Sequence, residues 1–93
     1  MIDRDIFFNY SRQADKFFKK HESIREKFES NIHSVYAGNK NIHIKTMQGV
    51  KDTTYRMRIG DCRVIFKIED GKIIIIDTIL AGNRGEIYKQ FKR

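Results

Sequence analysis

The chain has 93 residues, with 19 Lys+Arg against 12 Asp+Glu, for a net charge of +7. That length suits one domain over 1–93 and excludes a two-domain enzyme with a separate nucleotide-binding half. Hydrophobic residues make up 40% of the chain, with seven Phe and four Tyr, which is enough apolar material for a small core and argues against disorder. The lone cysteine, Cys62, cannot form an intramolecular disulfide and suits a reducing compartment. The longest apolar run, Ile73–Ile76, is too short to span a bilayer, and MIDRDIFFNY lacks the apolar stretch of a signal peptide. A cytoplasmic, membrane-free protein is expected.

Asp5–Tyr10 is rich in β-formers and reads as a first strand. A short helix is expected from Arg12 to Lys20, with Ser11 as N-cap and Ala14, Phe17 and Phe18 on its apolar side. His21-Glu22 forms a bend. Ser23-Ile24-Arg25-Glu26 has the spacing of a capping box, followed by Ile24, Phe28, Ile32 and Val35 along one helical face. Gly38 then ends the second helix as a C′ glycine.

Gly38, Gly49, Gly60, Gly71 and Gly82 recur every eleven residues. The blocks between them share little identity, so the spacing measures a strand plus its turn, not a solenoid repeat. Ile42 and Ile44 alternate with His43 and Lys45. Tyr55, Met57 and Ile59 alternate with Arg56 and Arg58, and Cys62, Val64, Phe66 and Ile68 alternate with Arg63, Ile65 and Lys67. Asp70-Gly71 is a hairpin signal leading into Lys72–Leu80, whose partly two-sided apolar character marks an interior strand. The expected fold is a small α+β domain: an N-terminal strand, a helical hairpin and an antiparallel meander, β-α-α-β-β-β-β.

A pI near 9.7 calls for a polyanionic partner. The charge is concentrated late: residues 1–44 hold 8 basic and 6 acidic residues, and residues 45–93 hold 11 and 6. If Tyr55, Met57 and Ile59 face the core, Arg56 and Arg58 face the other side, and Arg63 joins them across a short turn. Three guanidiniums on one solvated face repel unless an anion sits between them. Charged sheet faces also serve merely to keep an edge soluble, and the pattern alone leaves both readings open.

The run Tyr55-Arg56-Met57-Arg58-Ile59-Gly60-Asp61-Cys62-Arg63-Val64-Ile65-Phe66 resembles the Y-R-x-R-x-G-x-Y-R-[VL]-[IL]-[YF] signature of the RelE/ParE toxin superfamily. Ala81-Gly82-Asn83-Arg84-Gly85-Glu86-Ile87-Tyr88 is similar to its terminal G-[HK]-R-x-x-[IV]-Y element. The resemblance covers essentially the whole chain. It implies the toxin of a type II toxin–antitoxin pair: a RelE-type endoribonuclease that cuts ribosome-bound mRNA, or alternatively a ParE-like gyrase poison without nuclease activity. The nuclease reading implies Arg63 at the scissile phosphate with Arg56 beside it, Arg84 near the leaving 5′-oxygen, and Tyr88 near the 2′-OH or stacked on a base. Arg58, Lys45, Lys67 and Lys89 are then expected as RNA-binding cations. Arginine suits such a site because its fork matches phosphate geometry and stays charged. A free tyrosine is a poor base at neutral pH, with a pKa of about 10, and neighbouring guanidiniums would favour its phenolate. Arg56 replaces the family's frequent lysine, which weakens a proton-accepting role there, and Asn83 replaces its His or Lys. The implied partners are a cognate antitoxin, forming a hetero-oligomer, and the ribosome with its mRNA.

Other groups suggest no separate chemistry. His21, His33 and His43 have no spacing that assembles a metal site, and no cofactor is implied. Cys62 reads as a structural thiol, Lys19-Lys20 as cations complementing a helix dipole, and Phe17, Phe18 and Phe28 as core.

Overall fold

The computed structural model describes residues 5–38, 44–46, 54–85 and 87. The elements run β1 (Ile6–Tyr10), α1 (Arg12–Lys20), α2 (Glu22–Tyr36), β2 (Ile44–Thr46), β3 (Tyr55–Ile59), β4 (Cys62–Asp70) and β5 (Ile74–Asn83). The expected β-α-α-β-β-β-β order is therefore the observed one. The five strands form one sheet in the order β1-β5-β4-β3-β2. β2 to β5 pair antiparallel as a meander, while β1 lies parallel to β5 and pairs Ile6 with Ile74 and Tyr10 with Thr78. Among the described residues, no helix is long and apolar enough to cross a membrane.

Both helices pack on one face of the sheet. Ala14 and Phe18 of α1 and Phe28 and Ile32 of α2 close over Met57, Ile59, Val64, Phe66, Ile74, Ile76 and Ala81. Aromatic rings thread this core: Phe28 meets Phe8 edge-on at 5.8 Å and Phe66 at 5.4 Å, and Phe66 stacks with Tyr55 at 5.7 Å. Such offset and edge-on contacts add specificity to the area they bury. Alternation along the strands sends Arg56, Arg58, Arg63, Ile65 and Lys67 to the opposite face. Ile65 is nevertheless fully buried. Ile87, reached after the chain turns helical at Arg84, is also fully buried and lies outside the main cluster.

Ser11 caps α1 as the sequence suggests, its Oγ accepting from the Ala14 N–H at 3.1 Å. The capping box at Ser23 does not form. Only His21 separates the helices, so α2 begins at Glu22 with His21 as its N-cap and no side-chain cap bond. The His21 carbonyl takes the N–H groups of Ile24 and Arg25 at 3.0 and 3.2 Å, and Ser23 already lies inside the first turn. At the other end Gly38, at φ +98°, adopts the left-handed conformation of a C′ residue and donates to Val35 O at 3.0 Å.

The two hairpins differ. Gly60-Asp61 is a two-residue turn with Gly60 at φ +57°, as a tight hairpin with glycine first requires. At Asp70-Gly71 the connection is longer. Asp70 remains in β4, Gly71 has no positive φ, and β5 starts at Ile74, not at Lys72. Gly71 N donates to Ile73 O at 3.0 Å, which makes 71–73 a three-residue loop and leaves Ile73 43% exposed. β5 is an interior strand, as expected, and extends to Asn83. The expected Ile42 and His43 part of the second strand lies outside the described residues.

Candidate functional site

Register brings the expected arginines together in two rows across the second face. Arg58 pairs with Arg63 on β4, and Arg63 pairs with Gly82 on β5. One step along, Lys45 pairs with Arg56, Arg56 with Ile65, and Ile65 with Leu80. Directly opposed residues in an antiparallel pair share a face, so Arg56, Arg58 and Arg63 form one cluster. Arg84 follows β5 at the same end, where its N–H donates to the Asp61 carbonyl in the β3–β4 turn at 3.1 Å. The two sequence motifs, some twenty residues apart, thus meet at one hairpin end.

The members of this cluster are not equivalent. Arg58 and Arg84 are exposed and Arg56 is half-buried. Arg63 is not on the solvated surface expected from alternation alone; it is only 8% exposed. Its Nη1 donates to Gly60 O at 3.2 Å and to Cys62 O at 3.0 Å, which fixes the side chain over the turn. A guanidinium carries five N–H donors, so two bonds leave most of the fork uncommitted by them. Two arginines directly opposed across strands raise the local potential and favour an anion between or above them.

Lys67 lies on the same face, two residues beyond Ile65 on β4, about 7 Å along the strand from the Arg56 row and about 13 Å from Arg63, and pairs with Asp77. Further along this face Glu69 is exposed. Tyr88 and Lys89 lie outside the described residues, so the cluster stands on Arg56, Arg58, Arg63 and Arg84, with Lys45 at its register edge. Among the described residues no group of His, Cys, Asp and Glu is arranged to hold a metal ion.

Cys62 sits half-buried beside the cluster. Burial raises its thiol pKa first, Asp61 adds to the rise, and Arg63 opposes it. The thiol is therefore held protonated at neutral pH, which suits a structural residue and not a nucleophile.

The sequence reading misses what positions the β5 end of the site. Gln13 on α1 donates from Nε2 to Ala81 O at 2.6 Å and accepts at Oε1 from Ala81 N at 2.8 Å. Ser11 Oγ donates to Ile79 O at 2.6 Å, and Ser11 N to Thr78 O at 2.9 Å. The start of α1 thereby continues the β-ladder along the β5 edge after β1 ends, next to the Gly82 that faces Arg63. No local pattern could reveal these pairs, because the partners lie 68 residues apart. Comparisons with family models, with curated proteins and with solved structures return no match for this chain.

Proposed function

We propose that the chain is an mRNA endoribonuclease toxin of the RelE type, acting on the ribosome and held in check by a cognate antitoxin. The observation that carries this reading is the convergence of Arg56, Arg58, Arg63 and Arg84, from two separated motifs, at one end of one sheet face. In the proposed reaction the substrate 2′-OH attacks the adjacent phosphate and gives up its proton to solvent, the P–O5′ bond breaks, and the 5′-oxygen takes a proton from solvent, to give a 2′,3′-cyclic phosphate and a 5′-OH. Negative charge gathers on the phosphoryl oxygens in the transition state. Fixed guanidiniums stabilise that state more than the ground state. Arg63, held by the turn carbonyls, is the preorganised cation at the phosphate; Arg56 and Arg58 add positive potential, and Arg84 serves the departing oxygen. Tyr88 is proposed at the 2′-OH. A site with few ordinary bases depends on substrate positioning, which the ribosome would supply.

The burial of Arg63 favours a second reading, a gyrase poison in which this arginine only stiffens the hairpin and the basic surface binds protein. Producing the chain without a partner and mapping cellular mRNA 5′ ends separates the two. Codon-phased cleavage is expected, abolished by Arg84→Ala. Growth arrest with intact mRNA and lost supercoiling activity would assign the gyrase target.

A further inference from the structure

Away from the arginine cluster, on the outer surface of α1, lies a shallow groove of about 290 Å³ lined by Gln13, Lys16, Phe17 and Lys20. Two rows of residues at four-residue spacing run along it, Lys16 and Lys20 of one and Gln13 and Phe17 of the other lining the groove. Arg12, Lys16 and Lys20 follow each other at four-residue steps, about 6 Å apart along the helix, and all three are exposed. Gln13, Phe17 and His21 make the adjacent row at the same spacing. Like charges at i,i+4 destabilise a helix. The acidic residue of α1, Asp15, is engaged elsewhere, pairing with Lys19 at 3.4 Å. The cation row therefore carries an unfavourable self-repulsion that a bound polyanion would relieve.

The neighbouring row supplies ring faces. Phe17 is half-buried, meets Phe18 edge-on at 5.7 Å, and stacks with the exposed His21 ring at 4.3 Å and 26°. A row of cations beside an open aromatic ledge is the arrangement that single-stranded nucleic acid uses: phosphates follow the charges and bases stack on the rings. Carboxylates of an acidic peptide would satisfy the lysines but would not stack on the exposed His21 ring.

We propose that this face of α1 is a docking site for single-stranded RNA, with phosphates along Arg12, Lys16 and Lys20 and a base on the Phe17–His21 pair. It shares with the proposed function only the choice of RNA as polyanion and does not require cleavage.

The test is fluorescence anisotropy with the full chain and a labelled 2′-O-methyl oligouridylate of about ten nucleotides, which cannot be cut because its 2′-OH is blocked. The double variant Lys16→Ala/Lys20→Ala, both at exposed positions, should weaken binding at least about 5-fold and flatten the salt slope by about 1.4, two single-strand phosphate contacts' worth. Phe17→Leu keeps an apolar side chain and should weaken binding about 5-fold with an unchanged salt slope, since stacking and not charge is lost. Unchanged affinity in both variants, with binding reduced instead by Arg58→Ala, would overturn the proposal. So would polyglutamate competing as well as the oligonucleotide while Phe17→Leu has no effect, which would make the face an acidic-protein site. Binding that depends on α1 with no cleavage of ribosome-bound mRNA would uphold this docking site and remove the nuclease reading; the reverse would do the opposite.

Discussion

Tyr10 ties β1 to α2 by donating its hydroxyl to Glu29 Oε2. Burial first, and then the Glu29 carboxylate, raise the Tyr10 pKa well above the ordinary value, with Arg25 opposing. The folded state thus keeps a proton that the unfolded chain would lose near pH 10. This contribution to stability is present below that pH and falls as pH rises through it. Tyr10 should ionise well above the ordinary tyrosine range in a phenolate absorbance titration, and Tyr10→Phe should lower stability by about 1–3 kcal/mol at neutral pH and less at high pH. Arg63 and Arg84 offer a sharper contrast. Arg63→Ala removes two bonds to turn carbonyls as well as a proposed phosphate contact, so it should cost about 1–3 kcal/mol of stability along with activity. Arg84→Ala removes an exposed side chain whose anchoring bond runs through its backbone N–H, so activity should fall with Tm unchanged. Both arginines can be found in the sequence as motif positions. Their different burial cannot, because alternation gives the face of a side chain and not what covers it.

Among the elements, the start of α1 and the β3–β4 turn hold the site in shape. Gln13→Ala would leave the Ala81 N–H and carbonyl without their side-chain partners, at about 1–3 kcal/mol, and Ala81 should show faster amide exchange than Val64 opposite it. At Gly60 a side chain meets no neighbour within 4 Å, so Gly60→Ala isolates the backbone cost of φ +57°. That cost is about 1–2 kcal/mol, a Tm drop of roughly 4–16 °C for a domain this size. The elements legible in the sequence were those with local signals: α1 with its Ser11 cap, the alternation of β3 and β4, and the Gly60 turn. Misread boundaries fell where neighbours intervened. The single-residue joint at His21 displaced the Ser23 cap, and the parallel partner β1 drew β5 into register from Ile74 onward. Parallel pairing of the two distant strands leaves no trace in either one's own pattern.

At the scale of the whole molecule the second sheet face is polarised. Arginines crowd the β3–β4 turn end; along β4 the Lys67–Asp77 pair follows about 13 Å from Arg63 and the exposed Glu69 about 20 Å from it. The positive charge of this face is thus concentrated at one end, where a polyanion meets its strongest attraction. In the proposed reading the four converged arginines form a phosphate site for RNA cleavage. Incubating the purified chain with mRNA, free and on programmed ribosomes, and analysing the termini of any fragments tests it. Cleavage on the ribosome yielding 2′,3′-cyclic phosphate and 5′-OH ends, lost in Arg84→Ala at unchanged Tm, is expected; intact mRNA on the ribosome, or equal cleavage by Arg84→Ala and Arg63→Lys, would rule the site out.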